Sequence, residues 1–136
     1  MHKKFRFIPI FIITLLVLAD LYTRSEEASA IPTPTMIRLG QASWYSEQDK
    51  GMNYRTANNE IFNDTALTCA IWRIPFHREI KVTNLANGKS IVVRVNDRGP
   101  HKRFVRKGRL IDLTKTAFQK IADTRQGLID VQIEFL

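Results

Sequence analysis

Residues 93–100, with the sequence VRVNDRGP, decide the fold because a strand ends inside them. Apolar side chains alternate along the strand that we predict over residues 90–95, and three of them share one face: Ile91, Val93 and Val95. The Gly-Pro pair at residues 99–100 prevents the strand from continuing. Asp97 therefore lies at a strand end, where a rigid sheet passes into a loop, and such positions often carry functional side chains.

Asp97 has two interpretations at this point. Asn96 precedes it and Arg98 follows it, and Asp and Asn are common turn residues, so the carboxylate can be a hydrogen-bonded structural corner. This is the commoner role for such residues. A carboxylate fixed at the end of a strand can also be a positioned general acid.

The segments on either side extend the β pattern. Residues 79–85 alternate as a strand, and Asn87-Gly88 is a strong hairpin signal, so this strand should pair antiparallel with residues 90–95. Further strands are predicted near both ends of the domain and just after the basic segment, at residues 37–45, 110–113 and 128–136. Residues 66–72 are apolar and fit either a buried strand or a short helix.

One helix is predicted after these strands, from Thr114, which can cap it, through Thr124. Its apolar face consists of Ala117, Phe118, Ile121 and Ala122. Several short strands and one helix in about 100 residues indicate a small β-barrel or an α+β domain.

Composition allows one small domain and suggests an anionic partner. The chain has 136 residues, 44% hydrophobic content and a formal charge of +8. Such a basic protein favours nucleic acid, anionic lipid or an acidic wall polymer. The single cysteine, Cys69, cannot form an internal disulfide, and its apolar neighbours predict a buried, unreactive thiol.

Residues 1–30 have the pattern of an export signal. A basic start is followed by an apolar run over residues 7–18, which is short for a membrane span. Small residues offer cleavage sites after Ala19 and after Ala30, and the alternative is an uncleaved N-terminal anchor that would associate the protein with the membrane. Residues 31–36 then form a Pro/Thr linker, and in either case we expect an exported domain over residues 37–136.

A strongly basic segment, residues 101–109, follows directly on the strand end that carries Asp97. One interpretation is a solvated basic loop, and the other is a rim that contacts an anionic ligand.

The candidate chemistry lies in two carboxylates on different loops, Glu60 and Asp97. Paired carboxylates suit glycosidic bonds, because one protonates the leaving oxygen and the other stabilises or activates. Asn58-Asn59, just before Glu60, suits a tight turn with positive φ. His77 and His101 are isolated, and with no cysteine pair or glycine-rich phosphate loop in the sequence we expect neither a metal nor a cofactor.

Taken together, these motifs resemble the rare lipoprotein A (RlpA)-like family over residues 37–136, and the VNDRGP run is quite specific. The matching segments, in chain order, are GQASWY (40–45), TANNE (56–60), ALTCA (66–70), VTNL with Asn87-Gly88 (82–88), VRVNDRGP (93–100) and IDLT (111–114). The resemblance implies a mainly β fold, a six-stranded double-psi β-barrel with one or two short helices. It also implies lytic transglycosylase activity on peptidoglycan, and the barrel is shared with expansin-like proteins.

Carried over to this sequence, the resemblance makes Asp97 the acid at the groove and Glu60 the second catalytic carboxylate. We expect five further residues to contact the substrate: Trp44, Tyr45, Asn96, Arg98 and Arg109. The two aromatic residues can offer a stacking face for sugar rings, although we expect one of them to belong to the core.

Two departures from the family pattern bear on these expectations. Asn59 stands where the family has glycine, and because Asn tolerates positive φ the turn should survive. Ile71 stands where many members have a histidine after the Leu-Thr-Ala-Ala run, so an imidazole is missing there.

The sequence therefore predicts an exported, monomeric, endolytic lytic transglycosylase of the periplasm or cell envelope. It would cleave peptidoglycan glycan strands with formation of an anhydro sugar. The alternative is a non-catalytic glycan-binding or wall-loosening, expansin-like module, which the missing imidazole at Ile71 favours. A nucleic-acid binder is supported by charge alone and is disfavoured by the export signal, so we expect no nucleic-acid partner.

Overall fold

A computed structural model describes residues 36–136, which contain six strands, two short α-helices and one 3-10 turn. The elements in chain order are β1 (Ile37–Tyr45), β2 (Thr68–Ile71), β3 (Glu79–Asn84), β4 (Ser90–Asp97), α1 (Lys102–Val105), β5 (Arg109–Thr114), α2 (Lys115–Ile121), a 3-10 turn (Thr124–Gln126) and β6 (Leu128–Phe135). The proposed signal or anchor and most of the linker lie outside these residues.

The six strands close into one barrel in the order β1-β5-β2-β4-β3-β6. The pairs β1/β5 and β2/β4 are parallel, and the other four pairs are antiparallel. The prediction of a six-stranded double-psi β-barrel with one or two short helices is confirmed. Closure matters for the site, because it places strands that are distant in sequence side by side.

Alternating apolar residues fill the barrel. The predicted inward residues Val93 and Val95 of β4 are at most 1% exposed, and Ile91 packs against the same core. Cys69 is fully buried, and burial raises the pKa of its thiol, so the prediction of a buried cysteine is confirmed. Helix α2 covers the core with three of its four predicted apolar residues: Ala117, Phe118 and Ile121.

The predicted hairpin is present: β3 and β4 pair antiparallel, and Gly88 in the connection has φ of +72°. The ambiguous segment at residues 66–72 contains a strand, β2, rather than a helix.

Two local predictions were wrong. The helix ends at Ile121 rather than Thr124, and the Thr114 side chain does not cap it, because its Oγ1 donates to the carbonyl of Ala66 at 2.5 Å. The basic segment after Pro100 is not entirely a loop, since residues 102–105 form helix α1. The His101 ring accepts a hydrogen bond from the backbone N–H of Arg103 at the start of this helix.

A β-bulge changes the direction of the strand end that carries Asp97. Along the β2/β4 pair, Cys69 faces Val95 but the next residue, Ala70, faces Asp97, so Asn96 is an extra residue in β4. Strict alternation would place Asp97 on the same side as Val95, inside the barrel. The extra residue instead puts Asp97 beside Ala70, which lines a surface cavity.

Within residues 36–136 no helix is long and apolar enough to cross a membrane.

Candidate functional site

A cavity of about 720 Å³ opens at the end of β4, where Asp97 lies. Tyr45, Ala70, Asp97 and Asp112 line it, together with loop residues from 51–57 and from 98–101. The site is thus assembled from β1, β2, β4 and β5 and from the loop that precedes β2.

Two carboxylates flank a small residue in this cavity. Strand β2 lies between β4 and β5, and Ala70 is the partner of Asp97 on one side and of Asp112 on the other. Residues paired in this way share a face of the sheet. With two strand spacings between them, the Cα atoms of the two aspartates are roughly 10 Å apart.

Asp97 is fixed by two backbone donors. Its Oδ1 accepts hydrogen bonds from the N–H of Ala57 at 2.9 Å and from its own neighbour Arg98 at 2.8 Å. Among the described residues no hydrogen bond falls on Oδ2. The structural corner and the positioned carboxylate are therefore one arrangement, since one oxygen holds the corner and the other is left to the cavity.

Glu60 does not line this cavity, so the structure does not place the two predicted carboxylates side by side. It forms a bidentate ion pair with Arg94, at 2.7 and 2.9 Å, and accepts from the side-chain amide of Asn58 at 2.8 Å and of Asn96 at 3.1 Å. Mainly through the hydrogen bonds of Arg94, the pKa of Glu60 falls to about 2. Glu60 is therefore an ionised anchor.

What Glu60 anchors is the turn that holds Asp97. Thr56 donates its backbone N–H to the Glu60 carbonyl at 2.9 Å, and Asn59 has φ of +72°, as predicted for a tight turn. Asn58 donates its backbone N–H to the carbonyl of Asn96 at 3.2 Å, which ties the turn to β4. Ala57, the donor to Asp97, lies within this turn.

The other predicted contact residues divide between this site and its surroundings. Arg98 lines the cavity and stacks on Phe76, with its guanidinium carbon 3.7 Å from the ring centroid. Asn96 is buried and serves Glu60 rather than the cavity. Arg109 stacks on Phe104 at 4.2 Å and lines a neighbouring cavity, so it is not brought to Asp97.

The two predicted aromatic residues also have different positions. Tyr45 lines the cavity and packs on Phe62 with ring centroids 4.8 Å apart. Burial raises the pKa of Tyr45, and its hydroxyl has no hydrogen-bond partner in the described part of the chain. Trp44 packs against the core and donates its Nε1–H to the carbonyl of Thr124 at 3.0 Å.

Trp72 and Asp112 are among the cavity residues that sequence analysis did not predict as site residues. Trp72 is 38% exposed, lines the cavity and donates its Nε1–H to the Pro100 carbonyl at 2.7 Å. Asp112 is half-buried, accepts a hydrogen bond from the Ser43 hydroxyl, and has a pKa raised by burial. An acid between two fully buried strand residues, Ile111 and Leu113, was the available signal for Asp112, because period-2 alternation turns it away from the core.

Ile71 lies outside the Asp97 cavity. It is 1% exposed, belongs to the core cluster, and borders the neighbouring cavity of about 620 Å³. That cavity has no acid in its lining, which consists of apolar residues and five cationic ones: Arg38, Arg73, Lys102, Arg106 and Arg109. Within residues 36–136 no group of three or more His, Cys, Asp or Glu side chains is arranged to hold a metal ion.

Comparison with known families gives one match over most of the chain. The family model described as "Lytic transglycolase" matches residues 37–133.

Relatives of known name share about two-fifths of their residues with this chain. "Probable endolytic peptidoglycan transglycosylase RlpA" of Synechocystis is 42% identical over 113 residues, which are 83% of this chain and 33% of that protein. "Endolytic peptidoglycan transglycosylase RlpA" of Rickettsia felis is 41% identical over 105 residues, which are 76% of this chain and 44% of that protein. The chain thus spans less than half the length of these relatives.

Solved structures show the same fold at low sequence identity. Streptomyces papain inhibitor superposes with a TM-score of 0.58 at 22% identity, over 78% of this chain and 98% of that chain. The expansin of Clavibacter michiganensis gives a TM-score of 0.55 at 19% identity, over 74% of this chain and 50% of that one.

Proposed function

Because the chain belongs to the RlpA-like double-psi β-barrel family of lytic transglycosylases, we propose that it cleaves the glycan strands of peptidoglycan endolytically and leaves an anhydro sugar. One observation carries the proposal. A carboxylate held at a strand end by two backbone N–H groups opens on a cavity that is also lined by aromatic and polar residues. Glycan-cleaving sites need this combination of a fixed carboxyl group and a sugar-sized cleft.

Asp97 is the proton-exchanging group in the simplest form of the reaction. Its carboxyl group protonates the glycosidic oxygen, the bond to the anomeric carbon breaks, and the leaving sugar departs with a free hydroxyl. The 6-hydroxyl of the remaining sugar then attacks the anomeric carbon and gives its proton to the Asp97 carboxylate. The ring closes without a water molecule, and Asp97 returns to its protonated form.

Glu60 supports this chemistry as a positioning residue. A second carboxylate could stabilise charge on the sugar or orient the acid. The contacts of Glu60 favour the second role, because its charge is matched by Arg94 away from the cavity. Tyr45 and Trp72 line the cavity as surfaces on which sugar rings can stack.

The place of action follows from the same proposal. Peptidoglycan lies outside the cytoplasmic membrane, so residues 1–30 would export the domain to the periplasm or cell envelope, or anchor it at the membrane if they are not cleaved. We propose that the domain acts there as a monomer.

Replacing Asp97 by asparagine tests the proposal. Asp97→Asn keeps the size and the acceptor oxygen that holds the corner, but it cannot carry a proton. We expect it to fold, to bind isolated wall sacculi normally, and to release soluble glycan about 10²–10⁴-fold more slowly than the parental protein. Asp130→Asn, a matched change at an exposed acid of β6, should release at the parental rate.

The outcomes separate the alternatives. Parental release by a folded Asp97→Asn protein would show that Asp97 is not the proton-exchanging group. A parental protein that binds sacculi but releases nothing would instead support the non-catalytic, wall-loosening module.

A further inference from the structure

We propose that Asp112 is a second catalytic residue, which protonates the glycosidic oxygen while Asp97 accepts the proton of the 6-hydroxyl. This inference rests on the proposed function. The simplest scheme gives both proton transfers to Asp97, whereas here each transfer is assigned to a different carboxyl group.

The strand register carries the inference. Asp97 and Asp112 are the partners of Ala70 on its two sides, and all three residues line one cavity. Carboxyl groups that flank a glycosidic bond lie roughly 5–9.5 Å apart. Two aspartate side chains whose Cα atoms are about 10 Å apart can place their carboxyl groups at such a separation. Ala70, which lies between them in the sheet, adds only a methyl group to the wall of the cavity.

Gly99 packs closely against Ala70 and Asp112 on the loop side. A Cβ atom on Gly99 would come within 3.1 Å of the Ala70 Cβ and 3.4 Å of Asp112 Oδ2. The absence of a side chain at residue 99 therefore leaves this oxygen of Asp112 uncrowded. Its other oxygen, Oδ1, accepts the hydrogen bond from Ser43.

The surroundings of the two carboxyl groups differ. Asp97 Oδ1 accepts two backbone N–H groups, which fix its position at the strand end. Burial raises the pKa of Asp112, which favours the protonated form that a proton donor needs. Ser43 and Arg109 act in the opposite direction on Asp112, whereas the charge of Asp97 acts in the same direction as burial.

Other titratable groups near Asp112 come from each packed element. Tyr45 of β1 is half-buried and Cys69 of β2 is fully buried, and both have raised pKa values, so they are neutral at ordinary pH. His101 lines the same cavity from the loop after β4. The charges of Asp97 and Arg109 act on the pKa of Asp112, and Arg55 and Arg98 line the same cavity.

The proton and electron balance is complete without water. The Asp112 carboxyl group gives its proton to the glycosidic oxygen, which keeps the electron pair of the broken bond and leaves as a hydroxyl. The 6-hydroxyl oxygen forms the new bond to the anomeric carbon, and its proton passes to the Asp97 carboxylate. One proton then leaves Asp97 and one returns to Asp112 through solvent, which restores both groups.

The first test is Asp112→Asn in the full chain, measured by release of soluble anhydro-ended glycan from sacculi over a range of pH. We expect parental binding to sacculi, a loss of about 10²–10⁴-fold in turnover, and no decline in the residual rate on the alkaline side. Asp130→Asn is the matched control and should keep the parental profile. Release by a folded Asp112→Asn protein at the parental rate would overturn the inference.

The second test uses Ser43→Ala and does not depend on whether Asp112→Asn folds. The hydrogen bond from Ser43 lowers the pKa of Asp112, so its removal should raise that pKa. Because the donor must be protonated, the alkaline limb of the rate profile should move to higher pH. Ser46→Ala, at a buried serine outside the cavity, should leave the limb in place. An unmoved alkaline limb in Ser43→Ala would contradict a proton-donating Asp112.

Failure of this inference differs from failure of the proposed function. A parental protein that releases no glycan would overturn both. Active parental protein whose rate responds to Asp97→Asn but not to Asp112→Asn or Ser43→Ala would overturn this inference alone.

Discussion

At the scale of single residues, the geometry of Asp97 is compatible with both of its interpretations, the structural corner and the general acid. Oδ1 accepts hydrogen bonds from the backbone N–H groups of Ala57 and Arg98, which fixes the carboxylate. The other oxygen is left to the cavity that Asp97 lines. Turn residues next to a strand end are common in proteins of every function. Sequence alone therefore could not tell a corner from an acid.

Glu60 and Arg94 give a prediction at this scale, because together they hold the turn that contains Ala57. Glu60→Gln and Arg94→Gln should each reduce the turnover of glycan release by roughly 10- to 100-fold, through a small misplacement of Asp97. The double variant should lose little more than either single one, since both changes break the same ion pair. Turnover and binding to sacculi, measured for all three variants, check this.

A direct role of Glu60 on the substrate would give another pattern. The turnover of Glu60→Gln would then decrease as much as that of Asp97→Asn, and the turnover of Arg94→Gln would remain close to the parental value.

At the scale of elements, periodicity located the strands but not the irregularity that builds the site. The alternation in β4, the Asn87-Gly88 turn and the buried face of β6 were all visible in the sequence, because each rests on local patterns. The bulge at Asn96 depends on how β4 pairs with β2, a parallel contact between segments more than 20 residues apart. No local pattern specifies such a pairing.

The same limit explains the site residues that the sequence misplaced or missed. Asp112 enters the cavity because β2 lies between β4 and β5, and Trp72 is held there by its hydrogen bond to the Pro100 carbonyl. Arg109 was predicted at the substrate because it belongs to the basic segment, but its strand position directs it to Phe104. The resemblance to the family identified Asp97 and Glu60 as candidate catalytic residues, whereas the difference between their surroundings is visible only in the three-dimensional structure.

Helix α1 provides a prediction at the element scale. Lys102 and Arg106 line the cation-rich cavity beside the Asp97 site, whereas Arg103 and Lys107 on the same segment do not. Replacing Lys102 and Arg106 together by glutamine should weaken binding to sacculi at low salt and flatten its salt dependence, because the wall is anionic. Cosedimentation at several salt concentrations measures this.

The control pair is Arg103 with Lys107, also changed to glutamine, which removes the same net charge outside the cavity. We expect a clearly smaller loss of binding from it. Equal losses from the two pairs would mean that only net charge matters, and unchanged binding in both would mean that the segment is simply solvated.

At the scale of the whole molecule, barrel closure brings distant parts of the sequence to one place. Strands β1, β2, β4 and β5 each contribute a residue to the cavity, and the loop before β2 contributes Ala57. The basic composition, with a formal charge of +8, adds a general attraction to an anionic wall. Fold, site and charge are thus compatible with the proposed substrate class, the glycan strands of peptidoglycan.

The most direct measurement of this account is the chemistry of the product ends. Purified protein is incubated with isolated sacculi in heavy-oxygen water, and the soluble fragments are identified by mass. We predict anhydro-ended fragments, lighter by one water than hydrolysed ends and free of heavy oxygen, because the 6-hydroxyl replaces water as the attacking group. Fragments with ordinary reducing ends that carry heavy oxygen would contradict the transglycosylase account.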